Sequence, residues 1–212
     1  MSSIRILYRD YDRAPYLYML KACAKRLGLD VVLTKAELGG RFPEFLLEGA
    51  TDFLAENYWQ LQALRAKGQP LVSVATAVSN LNEKLFVHPS IAKIADLKGK
   101  KIGVNLGSVS QFLLEYIFKQ NGLSDSDVTL VRMSQGDVPA ALAAGQIDAG
   151  VTWEPHLTAS VKNGATLLVD SKSTPGLIVD VLVMRQDVLD AHPEVAPALI
   201  DSWYKSIAYL NA

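Results

Sequence analysis

Leu142-Ala143-Ala144-Gly145-Gln146-Ile147-Asp148-Ala149-Gly150-Val151-Thr152 repeats, 96 positions on, the plan of Leu46-Leu47-Glu48-Gly49-Ala50-Thr51-Asp52-Phe53-Leu54-Ala55. In both stretches the leucine packs a helix on a sheet, the glycine lets that helix end in a left-handed turn, and the aspartate opens a strand. Gly28 and Gly122 stand 94 positions apart, and Val31 and Val128 stand 97 apart. Offsets this constant over four landmarks indicate a duplicated unit.

Working outward from the first copy, the spacing predicts a strand over 4–8 and a helix over 15–27. That helix has Pro15 near its start and Gly28 at its C-cap. A strand over 31–33, a helix over 42–47, a strand over 52–55 and a helix over 59–67 follow. The second copy predicts a strand over 101–104, a Gly/Ser loop and a helix over 111–120 closed by Asn121-Gly122. It continues with a strand over 128–131, a helix over 138–144 and a strand over 148–152. Alternating strands and helices define an α/β protein with parallel strands and helices on the sheet faces.

Between the copies, 72–78 and 84–87 read as a strand pair joined by the polar turn Ser79-Asn80-Leu81-Asn82. After the second copy, 177–184 reads as a strand and 193–210 as a helix. Two segments able to cross on either side of the second copy imply a bilobal body. Lobe one takes 1–80 and 177–212, and lobe two takes 81–176. A two-segment hinge joins them, and the cleft between them is the expected site.

The 212 residues are 50% apolar, enough to close a real core. Lys plus Arg number 21 against 22 Asp plus Glu, a net charge of −1. Such a chain has no broad positive field to neutralise phosphates, so nucleic acid is not an expected partner. The single cysteine, Cys23, rules out an intrachain disulfide framework and reads as a core residue of the first helix. His88, His156 and His192 lack the spacing of a metal site, so neither a metal nor a cofactor is expected. No apolar run approaches the roughly 18 residues of a membrane span. Met1-Ser2-Ser3 leads directly into Ile4-Arg5-Ile6-Leu7-Tyr8 without the segments of a secretory signal. The expected location is the cytoplasm if the chain is native and complete, or the periplasm if a signal has been removed.

One further stretch narrows the reading. Ile94-Ala95-Asp96-Leu97-Lys98-Gly99-Lys100-Lys101-Ile102-Gly103-Val104 is followed by Gly107-Ser108, and then by Gly145-Gln146-Ile147-Asp148-Ala149-Gly150-Val151-Thr152-Trp153-Glu154-Pro155. The chain resembles the solute-binding proteins of bacterial ABC importers for nitrate, sulfonates, taurine and related compounds. That superfamily also includes thiamine-pyrimidine binders. The first run is shared by many periplasmic-type binding proteins; the second is narrower. The resemblance implies the type 2 periplasmic-binding-protein fold and the membrane subunits of an ABC importer as partners. Family members usually carry an export signal and several more C-terminal helices, whereas this chain stops soon after Trp203-Tyr204. An incomplete first lobe would leave apolar surface for a second copy to cover, so a homodimer is also expected.

Ligands of open parallel sheets sit outside the carboxyl ends of the strands, where helix starts present N–H groups. That rule selects Asp10-Tyr11-Asp12, Gly39-Gly40-Arg41, Glu56-Asn57-Tyr58, the loop 105–110 and Trp153-Glu154. The candidate ligand-binding residues are Asp10, Tyr11, Gly39, Arg41, Asn57, Tyr58, Gly107, Ser108, Ser110, Trp153 and Glu154. Of these, the resemblance carries over Gly39, Asn57, Gly107-Ser108 and Trp153-Glu154. Gly107, Ser108 and Ser110 offer backbone N–H and hydroxyl donors for a carboxylate, sulfonate or nitrate, or else serve as a plain N-cap. Trp153 and Tyr58 would be flat walls or ordinary packing aromatics. If the acids of these loops enter the cleft, an amine-bearing or aminopyrimidine ligand is favoured over a bare anion.

Three functions remain. The first is a binding protein that captures a small polar organic molecule, such as a sulfonate, taurine or a carboxylate, with no catalytic residues. The second is an enzyme on the same scaffold, although the cysteine-rich motif of the pyrimidine-synthase type is absent. The third is the effector-sensing domain of a regulator, although no helix-turn-helix precedes Ile4.

Overall fold

The computed structural model describes residues 3–8, 21–22, 24–25, 28, 30–35, 46–79 and 84–210. In chain order its strands and helices are β1 (Ile4–Tyr8), β2 (Val31–Lys35), β3 (Phe53–Asn57), α1 (Tyr58–Ala66), β4 (Leu71–Ser79), β5 (Lys84–Val87), β6 (Lys101–Val104), α2 (Val109–Gln120), β7 (Thr129–Arg132), α3 (Val138–Ala143), β8 (Ala149–Thr152), α4 (His156–Lys162), β9 (Thr166–Asp170), β10 (Val179–Arg185), α5 (Gln186–Ala191) and α6 (Val195–Leu210). The chain divides into two compact units, Met1–Val78 with Asp180–Ala212, and Ser79–Val179.

Each unit holds one five-stranded sheet among the described residues, in the orders β2-β1-β3-β10-β4 and β7-β6-β8-β5-β9. The two orders correspond. β1 lies between the parallel strands β2 and β3, as β6 lies between β7 and β8. The register agrees too, since Ile6 pairs with Phe53 and Ile102 with Ala149. An antiparallel strand comes next in each sheet. In the first it is β10, which follows the second copy in sequence; in the second it is β5, which precedes that copy.

The helix-to-strand junctions of the two copies are built alike. Gly49 (φ +73°) donates its N–H to the Leu46 carbonyl at 3.2 Å, and Gly145 (φ +67°) donates to Leu142 at 3.1 Å. A left-handed residue is what closes a helix end of this kind, and glycine adopts that conformation without steric cost. The Asp52 N–H donates to the Arg5 carbonyl at 2.9 Å while Asp52 Oδ2 accepts the Arg5 N–H at 3.0 Å. Asp148 makes the same two bonds to Lys101, at 2.8 and 2.9 Å.

Each unit has its own core. In the first, Ile4, Ile6, Val31, Phe53, Leu182 and Met184 from the sheet meet Leu199 and Trp203 of α6. In the second, Leu85, Ile102, Val104 and Val151 pack against Leu113, Leu114, Ile117 and Phe118 of α2. These four helix residues follow the spacing of a single apolar stripe, which sets the face α2 lays on the sheet and fixes its N-terminus beyond the end of β6. Phe86 points to the other face and meets Val138, Leu142 and Ile147. Gly150 completes that packing, since a Cβ there would lie 2.5 Å from Val138 Cγ1.

One sequence expectation changes and two elements are added. The strands over 72–78 and 84–87 are not a pair: β4 belongs to the first sheet, and β5 sits inside the second between β8 and β9. The physical reason is burial. Leu85, Phe86 and Val87 are 0, 1 and 0% exposed, and three consecutive buried residues need cover on both faces of an interior strand. The helix expected over 193–210 is present as α6, and a short helix with no counterpart among the expected elements, α5, precedes it and stops before Pro193, whose ring disfavours helical backbone at His192. The apolar run 177–184 serves two cores, with Leu177 and Ile178 in the second and Leu182 and Met184 in the first. β9 had no counterpart among the expected elements.

Candidate functional site

At the carboxyl edge of the second sheet, three loops leave β6, β7 and β8. After β6 the chain turns at Gly107 (φ +79°) into α2, whose N-cap is Ser108. Ser108 Oγ accepts the Ser110 N–H at 3.2 Å and donates to the Asn105 carbonyl at 2.6 Å. Gly107 donates its N–H to Gln111 Oε1 at 2.7 Å. The hydrogen bonds within this loop give the start of α2 a fixed shape before any ligand arrives. No Cβ neighbour crowds Gly107, so its backbone is open to close approach.

Ser110 is fully buried, and its Oγ accepts from Gln135 Nε2 at 3.4 Å. Gln135 lies in the loop after β7 and is 7% exposed. Its carbonyl accepts the Thr152 Oγ1 hydrogen at 3.1 Å, at the end of β8. Trp153 follows, half-buried. Glu154 is exposed and faces its own helix: it accepts the Thr158 N–H at 3.1 Å and the Thr158 hydroxyl at 3.0 and 2.9 Å. A carboxylate there complements the positive end of α4. The His156 ring lies against Gly136, where a Cβ would stand 3.4 Å from Cε1.

Beside the end of β8, Lys84 is in register with both Thr152 and Asp170. Its Nζ lies 3.0 Å from Asp170 Oδ2. Burial pushes the Asp170 carboxyl up, but the Lys172 N–H and the Lys84 ammonium outweigh it and hold the group below its ordinary value.

In the first unit the corresponding edge is the end of β3. Asn57 is the N-cap of α1: its Oδ1 accepts the Gln60 N–H at 2.8 Å, and its Nδ2 donates to Glu56 Oε1 at 2.8 Å. Tyr58 begins α1 and is 45% exposed. Asp180 pairs with Asn57 across β10 and is buried. The candidates Asp10, Tyr11, Gly39 and Arg41 lie outside the described residues, as does Cys23.

The structure thus brings Gly107, Ser108, Ser110 and Trp153 to one edge of the second sheet, with Glu154 turned to α4. Gln135, Thr152 and Lys84 join them without having been singled out in sequence. The available signal was their place at a strand end, for Lys84 and Thr152, or three residues beyond one, for Gln135. The arrangement places the capped start of α2 and an indole at the same edge of one sheet. Among the described residues no cluster of His, Cys, Asp or Glu is suited to a metal ion. A Ser–His contact exists elsewhere, His88 Nδ1 to Ser90 Oγ at 2.9 Å, but Nδ1 also lies 3.3 Å from the Ser90 N–H in what is a local turn. That turn is at the opposite edge, where the His88 N–H meets the Asp148 carbonyl. A cavity of ≈ 180 Å³ lined by His88, Leu142, Asn163 and Ala165 also lies there, away from the loops described above.

A family model described as NMT1/THI5 like matches residues 25–212. The chain belongs to this family. Over 145 residues this NMT1/THI5-like chain is 32% identical to the taurine-binding periplasmic protein of Escherichia coli (strain K12), covering 66% of the chain and 45% of that relative. The matched stretch therefore spans less than half of the relative. A periplasmic sulfonate-binding protein from Methylobacillus flagellatus KT superposes with a TM-score of 0.83 at 20% identity, covering 99% of this chain and 69% of that one. The alkanesulfonate-binding protein of Xanthomonas axonopodis pv. citri, solved with MOPS bound, gives 0.77 at 24% identity, covering 96% and 72%. The fold is that of the bilobal periplasmic binding proteins. Among the described residues no helix is long and apolar enough to cross a membrane.

Proposed function

We propose that the protein is a solute-binding protein that captures a small organic sulfonate, taurine or a short alkanesulfonate, and presents it to the membrane subunits of an ABC importer. The observation that carries this reading is the edge of the second sheet, where Gly107, Ser108 and Ser110 start α2 beside Trp153. A sulfonate head has three acceptor oxygens and a spread negative charge, which suits the positive end of a helix and the backbone N–H groups of its first turn. Its short alkyl chain suits an aromatic wall. In the first unit Asn57 and Tyr58 occupy the matching strand end, and Tyr58 is exposed enough to meet a ligand. The family relatives named for taurine and sulfonate binding support the same ligand class. Capture involves no bond-making, so no catalytic residue is assigned.

The test is a thermal-shift series with taurine, short alkanesulfonates, MOPS, nitrate, small carboxylates and aminopyrimidines. A ligand at 100 times its Kd adds about 2.7 kcal/mol. For a chain of this size that raises Tm by roughly 5–10 °C. A shift confined to sulfonates is expected; a shift with aminopyrimidines and none with sulfonates overturns the ligand class. Loss of the stabilising compound on incubation with the protein, followed by mass spectrometry, would replace capture with catalysis.

A further inference from the structure

We infer that Gln135 is the positioning residue of this site, tying the loop after β7 to the start of α2 and to the end of β8; the inference rests on the ligand reading above. Gln135 makes one contact in each direction. Its side-chain amide reaches Ser110 Oγ at 3.4 Å, and its backbone carbonyl takes the Thr152 hydroxyl at 3.1 Å, one residue before Trp153. A primary amide that is 7% exposed at a sheet edge costs desolvation that an apolar side chain would avoid. What it supplies is direction. Ser110 is the second residue of α2, two positions after its N-cap, so anchoring Ser110 sets where the N–H groups of that turn point. The bond to Thr152 holds the end of β8, and with it the approach to the indole. The 3.4 Å contact is at the weak end of the hydrogen-bond range, so its loss falls on the loop more than on the fold. The loop's own bonds, Ser108 to Asn105 and Gly107 to Gln111, shape the turn but do not tie it to β7 or β8.

Two variants and two readouts test the role. Gln135→Ala removes the amide. Gln135→Glu keeps a group that the Ser110 hydroxyl can bond by donating, but adds negative charge near the start of α2. The first readout is amide hydrogen exchange in the ligand-free protein, at Ser110, Phe112 and Leu113, compared with the core amides of β6. The second is calorimetric affinity for taurine and methanesulfonate. Gln135→Ala should raise exchange at the three α2 amides by tenfold or more with β6 unchanged, and weaken sulfonate binding by about tenfold. Gln135→Glu should restore the exchange protection while binding stays weak. Affinity for Gln135→Ala within twofold of wild type overturns the role. So does exchange that rises equally in β6 and α2, which marks global destabilisation. If Gln135→Ala does not fold, Gln135→Glu decides: wild-type affinity overturns the inference, and retained exchange protection with weakened binding supports it. If neither sulfonate binds the wild-type protein, the functional reading is what fails. Exchange at α2 then decides the tether alone, and an unchanged pattern in Gln135→Ala overturns it.

Discussion

Asp52 and Asp148 show how one side chain fixes a strand end. Each carboxylate accepts the backbone N–H of a residue on the first strand of its copy, and each backbone N–H returns a bond to that residue's carbonyl. The partners, Arg5 and Lys101, are themselves basic and 96 positions apart, so the repeat extends to a residue that sequence landmarks alone did not include. The two sites are unequal in strength. Arg5 adds a bidentate grip on Asp52, Nε to Oδ2 at 3.0 Å and Nη2 to Oδ1 at 2.6 Å, and Asp52 is buried. The side-chain bond of Asp148 is a single backbone contact from a half-buried position. Asp148→Ala should therefore cost about 1 kcal/mol, and Asp52→Ala roughly 2–3 kcal/mol, because charge-assisted bonds are stronger and a strand N–H is left without its acceptor. Urea unfolding of both variants checks the order; equal losses would mean that the Arg5 fork contributes nothing.

β5 is the element whose place the sequence concealed. Its apolar run and the polar turn before it suggest a hairpin with β4, whereas burial on both faces puts it between β8 and β9. The helix and strand alternation of both copies was legible because periodicity and the Leu-Gly-Asp junctions are local signals, and Lys101–Val104 falls where its pattern places it. Which strand neighbours β8 is a long-range choice, and no local pattern records it. The same limit governs the site. Ser108 is visible as a cap, but the side chains of Gln135 and Lys84 act through residues 25 and 86 positions away, Ser110 and Asp170. Lys84 also gives this element a pH signature. Its partner Asp170 has a folded-state pKa below the ordinary carboxylate value, so the pair stabilises the fold fully above about pH 4. That contribution is lost as the pH falls through the lowered value. Asp170→Asn should lose on the order of 1 kcal/mol at pH 7 and show a shallower acid limb between roughly pH 5 and pH 2. Stability measured by urea titration across that range, with an unchanged acid limb in the variant, would remove Asp170 from the acid response.

Across the whole molecule, the two units share one plan, and each completes its sheet with a strand from outside its own copy. β10 returns to the first sheet after the second unit is built, and β5 enters the second sheet before its parallel strands are made. The chain accordingly passes from the first unit to the second between Val78 and Ser79, and back between Val179 and Asp180. The core of the first unit is closed by α6 and that of the second by α2. Trp153 is the residue that separates the two roles an aromatic can play here. It is half-buried at the end of β8 and is a member of neither main core cluster. As a ligand wall, Trp153→Ala should weaken sulfonate binding by about 2 kcal/mol, roughly thirtyfold, with a small change in unfolding. As a packing residue it should instead cost about 3 kcal/mol or more in stability and leave affinity near wild type. Calorimetric titration with taurine beside urea unfolding of the same variant distinguishes the two. The expected outcome is the first, since the ring is only half covered and its neighbour Thr152 is held in place by Gln135 rather than by the indole.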